Sequence, residues 1–511
     1  MIDVIIVVII MLNIREMHNE QVFTPSWMVN LMLNKLQYSG NRVLQKHIID
    51  NSCGKGAFLV EAVDRYCKAY EEKHKHDIIN YNQLKIELKT YIHGIEIDEV
   101  CWGLTIVNLN RVGLRYGLEN VEWDIRQEDA LEVDDFNGKM DYVVGNPPYC
   151  NVHDFGEKYK TIKKFSFAQG GMSDLYLVFF EIGINMLNEK GKLLYITPSS
   201  WTASIAGKPF RKYLIDSNKL TDVVVFGHEK IFKNATTFTM LTEITNDINE
   251  NDEDKELVTI YKYNPETVNI DYIASRPLSL FTVNNSFYFS DDTVTIKLLN
   301  DIEKHNYPDK VKVKNGFATL NDKLFVINEW IYENDDRSGI KDIIPVIKAS
   351  TGEEKWMVFP YDRKNGNKPF KFEELSDVTR EYLLKRAKQL HMEENSKIKG
   401  EWWLYGRSQA INDYGKGNRY AINNLIRRKE DVKVEPLFHT YGVYSGFYII
   451  ADDDFGHIEW DHLEWMDYLY NDEFVNYVKM LGRYKNGGYY TFTTKELQNY
   501  LNYKINLKEK N

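Results

Sequence analysis

Cysteine is scarce in this chain, and the few cysteines are scattered. Cys53, Cys67, Cys101 and Cys150 form no Cys-x-x-Cys pair, and no histidine cluster accompanies them at metal-binding spacing. Disulfide frameworks and structural zinc sites need these residues at short, regular spacing, so the sequence predicts neither, and no metal site is expected. The simplest compartment for such a protein is the reducing cytoplasm.

Positive charge is in deficit. The chain has 64 Lys and Arg against 75 Asp and Glu, which gives a formal net charge of −11 and an isoelectric point near 5.7. If this negative charge were spread evenly over the protein, it would disfavour a nucleic-acid partner. The charge is uneven, because an acidic stretch occupies residues 246–256 while basic residues interleave with aromatic residues in the second half. The second half therefore keeps a nucleic-acid partner open.

Apolar runs long enough to cross a membrane are lacking. The run Val4–Leu12 is too short, follows Asp3 rather than a basic residue, and precedes no small-residue cleavage site. The sequence therefore predicts neither an anchor nor a signal peptide, and no membrane association is expected. We interpret residues 1–20 as an N-terminal extension that need not be native, with Met11 or Met17 as alternative starts.

The length of 511 residues exceeds one ordinary domain and predicts two, each with its own core. Strands and helices alternate regularly over residues 21–290. Over 291–511 the predicted strands are irregular, as in Lys323–Ile327, Ile343–Ile347 and Gly446–Ile450. We predict an α/β domain followed by a mixed α+β domain, in a monomeric protein.

The first strand of the α/β domain runs into a glycine loop. The apolar segment His47–Ile49 precedes the loop Asp50–Gly56, and a helical pattern follows. Strand, glycine loop and helix open nucleotide-binding folds of the Rossmann kind. Gly54-x-Gly56 alone is a weak signal, and Lys55 is not followed by a hydroxyl residue, so a P-loop for ATP is disfavoured.

Three successive strands of this domain are followed by acidic residues. Asp50, Glu96 and Asp129 each come at or just after the end of a predicted strand. The carboxyl ends of parallel strands meet at one edge of a sheet, so the three acids predict a ligand crevice there. Asp50 suits a ligand ammonium group, Glu96 a ribose diol, and Asp129 an adenine amino group.

The loop Gly145–Tyr149 is the most distinctive stretch of the chain, and it follows the apolar strand Met140–Val144. Its two prolines keep it out of a helix and remove two backbone donors, so it offers acceptors. The side-chain oxygen of Asn146, the carbonyl of Pro147 and the ring of Tyr149 suit a planar ring that carries an NH2 group. Accepting hydrogen bonds from both N–H groups frees the nitrogen lone pair to attack an activated methyl group.

The order of these motifs resembles the gamma-class DNA adenine-N6 methyltransferases of the TaqI-like kind. The resemblance extends from about Gln21 to Ile244. The motifs that carry it are Phe23-Thr24-Pro25, the Asp50 glycine loop, Glu96, Asp129, Asn146-Pro147-Pro148-Tyr149, Asp174-Leu175-Tyr176 and Ile231-Phe232. It implies a Rossmann-like S-adenosylmethionine-dependent methyltransferase domain that methylates the N6 amine of an adenine flipped out of double-stranded DNA.

The resemblance also implies roles for individual residues. Asn146, Pro147 and Tyr149 are expected to be catalytic, with the target amine held by the first two. The flipped adenine is expected to lie against Tyr149 and Phe232. The residues expected to bind S-adenosylmethionine are Thr24, Asp50, Ser52, Gly54, Glu96, Asp129 and Phe179. Lys55, inside the glycine loop, departs from the family pattern and receives no role.

Basic and hydrogen-bonding residues of the second half are interpreted as a DNA target-recognition domain. Arg and Gln reach base edges, while Lys and Arg meet phosphates. The candidate DNA contacts are Arg407, Gln409, Arg419, Arg427, Arg428, Arg483 and Lys485. The alternative is a solvated basic face with aromatic residues in the core.

Other functions use a similar loop and stay open at this point. A protein-glutamine or RNA methyltransferase would use the same Asn-Pro-Pro-Tyr loop, although the glutamine enzymes are much shorter and lack such a second half. A combined restriction and modification enzyme would need a nuclease domain, yet about twenty residues precede Phe23 and no nuclease motif is evident. A DNA-binding module that retains the fold is the non-enzymatic alternative. A cognate restriction endonuclease is an expected partner of the enzyme.

Overall fold

The computed structural model divides the chain into two compact units, Met1–Thr293 and Val294–Asn511. The division lies three residues beyond the boundary predicted from the sequence. The described residues are 24–76, 78–150, 152, 159–171, 173–227, 229, 231–232, 238–246, 257–304, 306, 308–327, 339–392, 400–414, 419–437, 441–450 and 467–510. The predicted extension 1–20 lies outside them, as does nearly all of the acidic stretch 246–256. Within these ranges, no helix is both long and apolar enough to cross a bilayer.

Unit 1 alternates helices and strands around one sheet. Its helices are α1 (Ser26–Lys35), α2 (Ala57–Lys73), α3 (Tyr81–Tyr91), α4 (Glu99–Arg115), α5 (Tyr159–Ile162), α6 (Leu175–Met186) and α7 (Lys208–Ser217). Its strands are β1 (Ile48–Asp50), β2 (Ile92–Ile95), β3 (Asp124–Arg126), β4 (Met140–Gly145), β5 (Leu187–Pro198), β6 (Leu220–Val225), β7 (Thr239–Thr245), β8 (Leu257–Asn264), β9 (Asn269–Pro277), β10 (Thr282–Val283) and β11 (Ser286–Phe287). Strands β10 and β11 form a separate hairpin.

The central sheet has nine strands in the order β3-β2-β1-β4-β5-β7-β6-β8-β9. The first five run parallel, β7 is antiparallel between β5 and β6, β8 is parallel to β6, and β9 closes the edge as a hairpin with β8. From β1 the chain builds outward through β2 and β3, and it then returns to place β4 on the other side of β1. This reversal of strand order puts a ligand crevice at the carboxyl ends of β1 and β4.

Helices α1 to α4 pack against the sheet and form the main core of unit 1. Helix α1 begins directly after Thr24-Pro25, and Pro25 is its N-cap residue with φ −63°. Proline suits this position because it has the required φ and the missing N–H has no helical partner there. Helix α6 buries residues on every side, from Leu175 to Met186, as expected of a helix enclosed by protein.

A buried ion-pair cluster ties α1 to the far half of the sheet. Lys35 Nζ lies 2.7 Å from Asp222 Oδ2 on β6 and 2.9 Å from Glu243 Oε2 on β7. The Lys35 side chain is 11% exposed and that of Glu243 is 3% exposed. Burial alone would lower the pKa of Lys35, but the two carboxylates outweigh it and raise that pKa above its usual value. Lys35 is therefore the nearest counterion of both carboxylates, and Glu243 has a second partner in Lys192 at 3.5 Å.

Replacing that ammonium is expected to destabilise unit 1 strongly. We predict that Lys35→Met lowers the free energy of unfolding by about 3–5 kcal/mol, because it removes the nearest counterion of two largely buried carboxylates. The matched control is Lys46→Met, since Lys46 pairs with Asp141 at 2.9 Å but is 48% exposed. Lys46→Met should lower the free energy of unfolding by less than about 1 kcal/mol. Urea denaturation measures both, and equal losses would contradict the prediction.

Unit 2 is a mixed α+β structure. Its helices are α8 (Thr293–Lys304), which begins at the division, α9 (Asp322–Phe325), α10 (Asp377–Gln389), α11 (Asp472–Met480) and α12 (Thr494–Lys510). Its strands are β12 (Lys312–Asn315), β13 (Val326–Ile327), β14 (Ile343–Lys348), β15 (Glu353–Val358), β16 (Tyr361–Asp362), β17 (Lys368–Pro369), β18 (Arg419–Ile422), β19 (Leu425–Ile426), β20 (Val434–Leu437), β21 (Gly442–Tyr444), β22 (Phe447–Ile450), β23 (Tyr484–Lys485) and β24 (Tyr489–Thr491).

These strands form several small sheets instead of one large one. Two have four strands, in the orders β12-β22-β18-β20 and β13-β15-β14-β21, and a third has the order β19-β24-β23. The predicted strands Ile343–Ile347 and Gly446–Ile450 match β14 and β22 closely. The predicted strand Lys323–Ile327 is wrong over its first half, where the chain forms the helical turn α9. The turn is closed by the Leu324 N–H, which donates to the Asn321 carbonyl at 2.9 Å.

Candidate active site

Asp50 is the last residue of β1 and one wall of the crevice. It is 2% exposed, and burial raises the pKa of its carboxyl from 3.8 to about 7. The Ser52 N–H donates to Asp50 Oδ1 at 3.1 Å. On the neighbouring strand, a Cβ added to Gly145 would lie 2.9 Å from the same oxygen. The carboxylate thus packs against the backbone of β4, in a space that a side chain on Gly145 would fill.

The glycine loop after Asp50 is shaped by two residues in the left-handed region, Gly54 with φ 56° and Gly56 with φ 80°. Glu96 fixes the loop, because its Oε2 accepts the Gly54 N–H at 2.7 Å. Its Oε1 accepts the Asp98 N–H at 2.8 Å, and burial raises the pKa of the Glu96 carboxyl. Each oxygen keeps a second lone pair. Glu96 therefore orders the loop and retains acceptor capacity for a ligand hydroxyl.

The crevice contains an unsatisfied buried polar atom. Ser52 Oγ is inaccessible to solvent and has no hydrogen-bond partner within the described part of the chain. Asp129 lies partly exposed after β3, and its Oδ1 accepts the Leu131 N–H at 3.1 Å. Buried hydroxyls without partners are uncommon in folded proteins. An orphan hydroxyl two residues from a buried acid, in a loop shaped by two left-handed glycines, fits a crevice that holds a polar cofactor with an ammonium group.

Asn146 follows β4 and has its side-chain amide oriented by two neighbours. Its Nδ2 donates to Thr24 Oγ1 at 3.1 Å, which fixes Oδ1 as the acceptor end of the amide. The Tyr149 hydroxyl donates to that Oδ1 at 2.5 Å and lies 3.1 Å from the Ile196 carbonyl oxygen. Burial raises the pKa of Tyr149, so this hydroxyl keeps its proton. Thr24, predicted to bind the cofactor, thus also sets the orientation of Asn146.

The predicted ring residues gather around Tyr149. The ring of Phe232 lies 6.5 Å from that of Tyr149, centroid to centroid, at 62°, and the ring of Tyr176 lies 6.3 Å away at 87°. Phe232 is 5% exposed and Phe179, on α6, is 6% exposed. Pro147 is buried beneath the loop. The structure therefore brings Tyr149 and Phe232 together edge to face, and it leaves Phe179 buried at the margin of the core.

Two further residues of the crevice were not anticipated from the sequence. Asn51, next to Asp50, is buried and accepts the Tyr195 hydroxyl at 2.8 Å, which fixes β1 to β5 through their side chains. Ile97 is 57% exposed between the acids that follow β2, so it offers an apolar surface at the crevice edge. An aliphatic residue between two acids after a strand is a weak sequence signal, and Asn51 carried none.

Residues 31–232 match the model of the Eco57I restriction-modification methylase family. They include β1 to β6 and all the crevice residues above except Thr24. This segment is therefore similar to the restriction-modification methylases of that family. Unit 1, which contains this segment, is a Rossmann-like α/β domain with a central mixed sheet.

The similarity to one relative covers more of the chain than residues 31–232. The Type II restriction enzyme and methyltransferase RM.Eco57I of Escherichia coli is 26% identical over 498 residues, covering 80% of this chain and 49% of that protein. The Type II methyltransferase M.AccI of Acinetobacter calcoaceticus is 28% identical over 207 residues, 38% of each chain. The chain thus spans about half the length of the first relative and less of the second.

A solved structure agrees with the fold. The Type IIL restriction-modification enzyme MmeI in complex with DNA aligns with a TM-score of 0.51 over 87% of this chain and 62% of that chain. The sequence identity is 12%, so the likeness shows the fold alone.

In unit 2, a three-stranded sheet joins two of the predicted DNA-contact segments. Strand β19 pairs with β24, and β24 pairs with β23. The Arg427 guanidinium lies 4.9 Å from the centre of the Tyr489 ring. The side chain of Arg428 is 65% exposed, and Lys485 is also exposed. Arg483 is 47% exposed and pairs with Glu496 at 2.7 Å. Basic and aromatic side chains from segments about sixty residues apart therefore share one surface.

Two other candidates for DNA contact, Arg419 and Gln409, donate hydrogen bonds to backbone carbonyls of unit 2. Arg419 is 5% exposed, and its guanidinium donates to the carbonyls of Asp413 at 3.3 Å and Tyr441 at 3.1 Å. Gln409 is half-buried and donates from Nε2 to the Gly316 carbonyl at 3.0 Å. Both side chains join backbone segments inside unit 2. Arg407, between them in the sequence, is exposed and stays a candidate.

Proposed function

We propose that the protein is a site-specific DNA adenine-N6 methyltransferase that uses S-adenosylmethionine. The observation that carries the proposal is the fixed amide of Asn146 at the reversal of strand order, one strand away from the buried acid Asp50. A planar amine and a methyl donor would meet at that point. The match of residues 31–232 to the restriction-modification methylase family supports DNA as the substrate.

The loop would activate the amine by accepting hydrogen bonds from its two N–H groups. The exocyclic amine of adenine is a weak nucleophile because its lone pair is delocalised into the ring. Asn146 Oδ1 and the Pro147 carbonyl accept its two N–H groups and draw the nitrogen towards tetrahedral geometry. When the amine occupies Asn146 Oδ1, the Tyr149 hydroxyl donates to the Ile196 carbonyl instead, 3.1 Å away. The loop can therefore receive substrate without leaving a buried hydroxyl unpaired.

S-adenosylmethionine, when bound, supplies an activated methyl group on a sulfonium. Asp50 would hold its ammonium group, with Ser52 Oγ and the Gly54 backbone close to the same part of the ligand. The remaining acceptor capacity of Glu96 suits the ribose hydroxyls, and Asp129 suits the adenine amino group. Ile97 would lie against the adenine ring, a contact that the exposed apolar side chain offers. No covalent bond between protein and substrate is required.

The target base must leave the duplex, which costs a few kcal/mol in lost pairing and stacking. Stacking on an aromatic ring recovers about 1–3 kcal/mol per base. Because the rings of Tyr149 and Phe232 are inclined at 62°, they cannot both lie flat against one base. Entry of adenine would therefore turn one ring or leave the base stacked on one and edge-on to the other.

Unit 2 would supply recognition of double-stranded DNA. Arg427, Arg428, Lys485 and Tyr489 share one sheet surface, where cations suit phosphates and a ring suits base stacking. Arg407 is a further exposed candidate. We propose that the enzyme acts as a monomer in the cytoplasm, beside a cognate restriction endonuclease.

The proposal is tested by following a tritiated methyl group from S-adenosylmethionine into DNA, RNA and protein. We expect label in DNA, as N6-methyladenine within one sequence motif that sequencing of methylated genomic DNA then identifies. Label on protein glutamine or RNA would establish the corresponding rival activity instead. Sequence-specific DNA binding without any transfer would show a binding module. The control is the Asn146→Ala variant, which should leave the DNA unlabelled.

A further inference from the structure

The loop that follows β5 presents a large aliphatic side chain to solvent. The chain leaves β5 at Pro198 and enters α7 at Lys208. Between them, Ile205 is 81% exposed. Isolated exposed aliphatic residues are common on protein surfaces and need no explanation by themselves. Ile205 differs from such residues because its loop is held rigidly from within and lies at the same end of the sheet as Asn146.

A buried arginine holds the loop from within. The Arg211 guanidinium donates to the carbonyl of Trp201 at 2.5 Å, to that of Ser204 at 2.8 Å, and to that of Asn285. Trp201 is completely buried, and Arg211 is 4% exposed. Two of these carbonyls, those of Trp201 and Ser204, lie just before Ile205, so the guanidinium fixes the backbone there and joins it to Asn285. The exposed side chain therefore stands on a rigid base.

A glycine contact supports the same backbone from another side. A Cβ added to Gly170 would lie 2.4 Å from the Ala206 carbonyl oxygen and 2.9 Å from that of Ile205. The main chain around Gly170 thus packs directly on the loop. In addition, the Lys208 N–H donates to the Ile205 carbonyl at 3.1 Å, which joins the loop to the start of α7.

The loop lies at the edge of the sheet that carries Asn146. Strand β5 is the parallel neighbour of β4, so Ser199 and Asn146 leave the sheet at the same end. The Tyr176 hydroxyl lies 3.1 Å from Ser200 Oγ, and the Tyr176 ring is edge-on to that of Tyr149. One shared tyrosine therefore links the base of the Ile205 loop to the loop proposed to bind the target amine.

We propose that Ile205 enters the DNA base stack beside the target adenine and holds open the space that the flipped base leaves. The inference rests on the proposed function. Proteins that unstack DNA insert apolar side chains such as Ile, Leu or Phe between bases, and a wedge must be backed by a rigid backbone to transmit force. Lys208, exposed three residues further on, suits the adjacent phosphate.

The test uses the full-length protein and a duplex carrying 2-aminopurine at the target adenine of its mapped motif, because this base fluoresces when it is unstacked. For Ile205→Ser we expect a fluorescence rise at least about fivefold smaller than for wild type, and about a tenfold lower methylation rate on the intact adenine duplex. Ile205→Leu should restore both. The matched control is Ile78→Ser, since Ile78 is 97% exposed and precedes α3, which leads to the opposite, amino end of β2.

A second duplex separates a wedge from a structural role. When the target adenine faces an abasic site, it is already unpaired, so the methylation rate of Ile205→Ser should return to within about twofold of wild type. A loss that persists on this duplex, or no loss on the intact one, would overturn the inference. S-adenosylmethionine affinity and the melting temperature should match wild type. If wild type methylates no DNA at all, the proposed function itself fails.

Discussion

Asn146→Ala is expected to abolish methylation while S-adenosylmethionine binds with unchanged affinity. The substitution removes the acceptor Oδ1 that the target amine needs, whereas the acids proposed to hold the cofactor, Asp50, Glu96 and Asp129, lie at or after the ends of β1, β2 and β3. Removing one preorganised polar contact from a transition state commonly costs about 10²–10³-fold in rate, and loss of nucleophile activation adds to that. Single-turnover methylation and calorimetric titration of the cofactor measure the two effects separately.

The Asn146→Ala variant is also expected to fold normally. The Tyr149 hydroxyl keeps the Ile196 carbonyl as an acceptor, so the change leaves no buried hydroxyl unpaired. The matched control is Asn110→Ala. Asn110 is an exposed residue of α4, and its Oδ1 accepts a hydrogen bond from the Trp123 ring N–H. That control should retain wild-type turnover. Near-normal turnover by Asn146→Ala would refute the role assigned to the loop.

Asp50→Asn is expected to weaken S-adenosylmethionine binding and, without ligand, to stabilise the protein at alkaline pH. In the folded chain the Asp50 carboxyl has a pKa raised to about 7 by burial, against 3.8 when unfolded. The unfolded chain therefore loses this proton first, and ligand-free stability falls as the pH rises from about 4 to 7. Asparagine cannot ionise, so the variant should be more stable at pH 8 by up to about 4 kcal/mol.

The same titration should appear in cofactor binding. A ligand ammonium needs the ionised carboxylate, so wild-type affinity for S-adenosylmethionine should be about tenfold weaker at pH 6 than at pH 8. The affinity of Asp50→Asn should be weak and should lack this step. Thermal melting at pH 5 and pH 8, with and without S-adenosylmethionine, checks both halves. Equal melting temperatures of variant and wild type at pH 8, or a pH step in the variant, would contradict the assignment.

Sequence patterns located the crevice because its parts are local. Asp50 and Asn146 each come at or directly after the end of an apolar strand. A short strand followed by a glycine or proline loop can be recognised within about ten consecutive residues. Parallel strands then place both residues at one edge, whatever the rest of the chain does. The contact of the Tyr149 hydroxyl with both Asn146 and Ile196 depends on β4 and β5 lying side by side, and local sequence does not reveal it.

Unit 2 shows more clearly what local sequence patterns cannot predict. Arg419 and Arg427 lie in the same basic and aromatic stretch, and composition treats them alike. One is buried because carbonyls from residues 413 and 441 converge on it, while the other lies over Tyr489, sixty-two positions away. Such convergence is set by strand pairing between distant segments. The local sequence pattern also predicted a strand at residues 323–325. There the Asn321 carbonyl accepts hydrogen bonds from following N–H groups, so the chain forms a helical turn instead.

The absence of a side chain at Gly145 has a consequence for the spacing of the two sides of the crevice. Because the Asp50 carboxylate rests against the bare backbone of β4, Asp50 and the strand that leads into the Asn146 loop are separated by a single strand-to-strand interval. That interval is about 4.8 Å, fixed by backbone hydrogen bonds. The backbone distance between the two proposed binding positions is therefore a property of the sheet itself, insensitive to the rotamers of the residues that line the crevice.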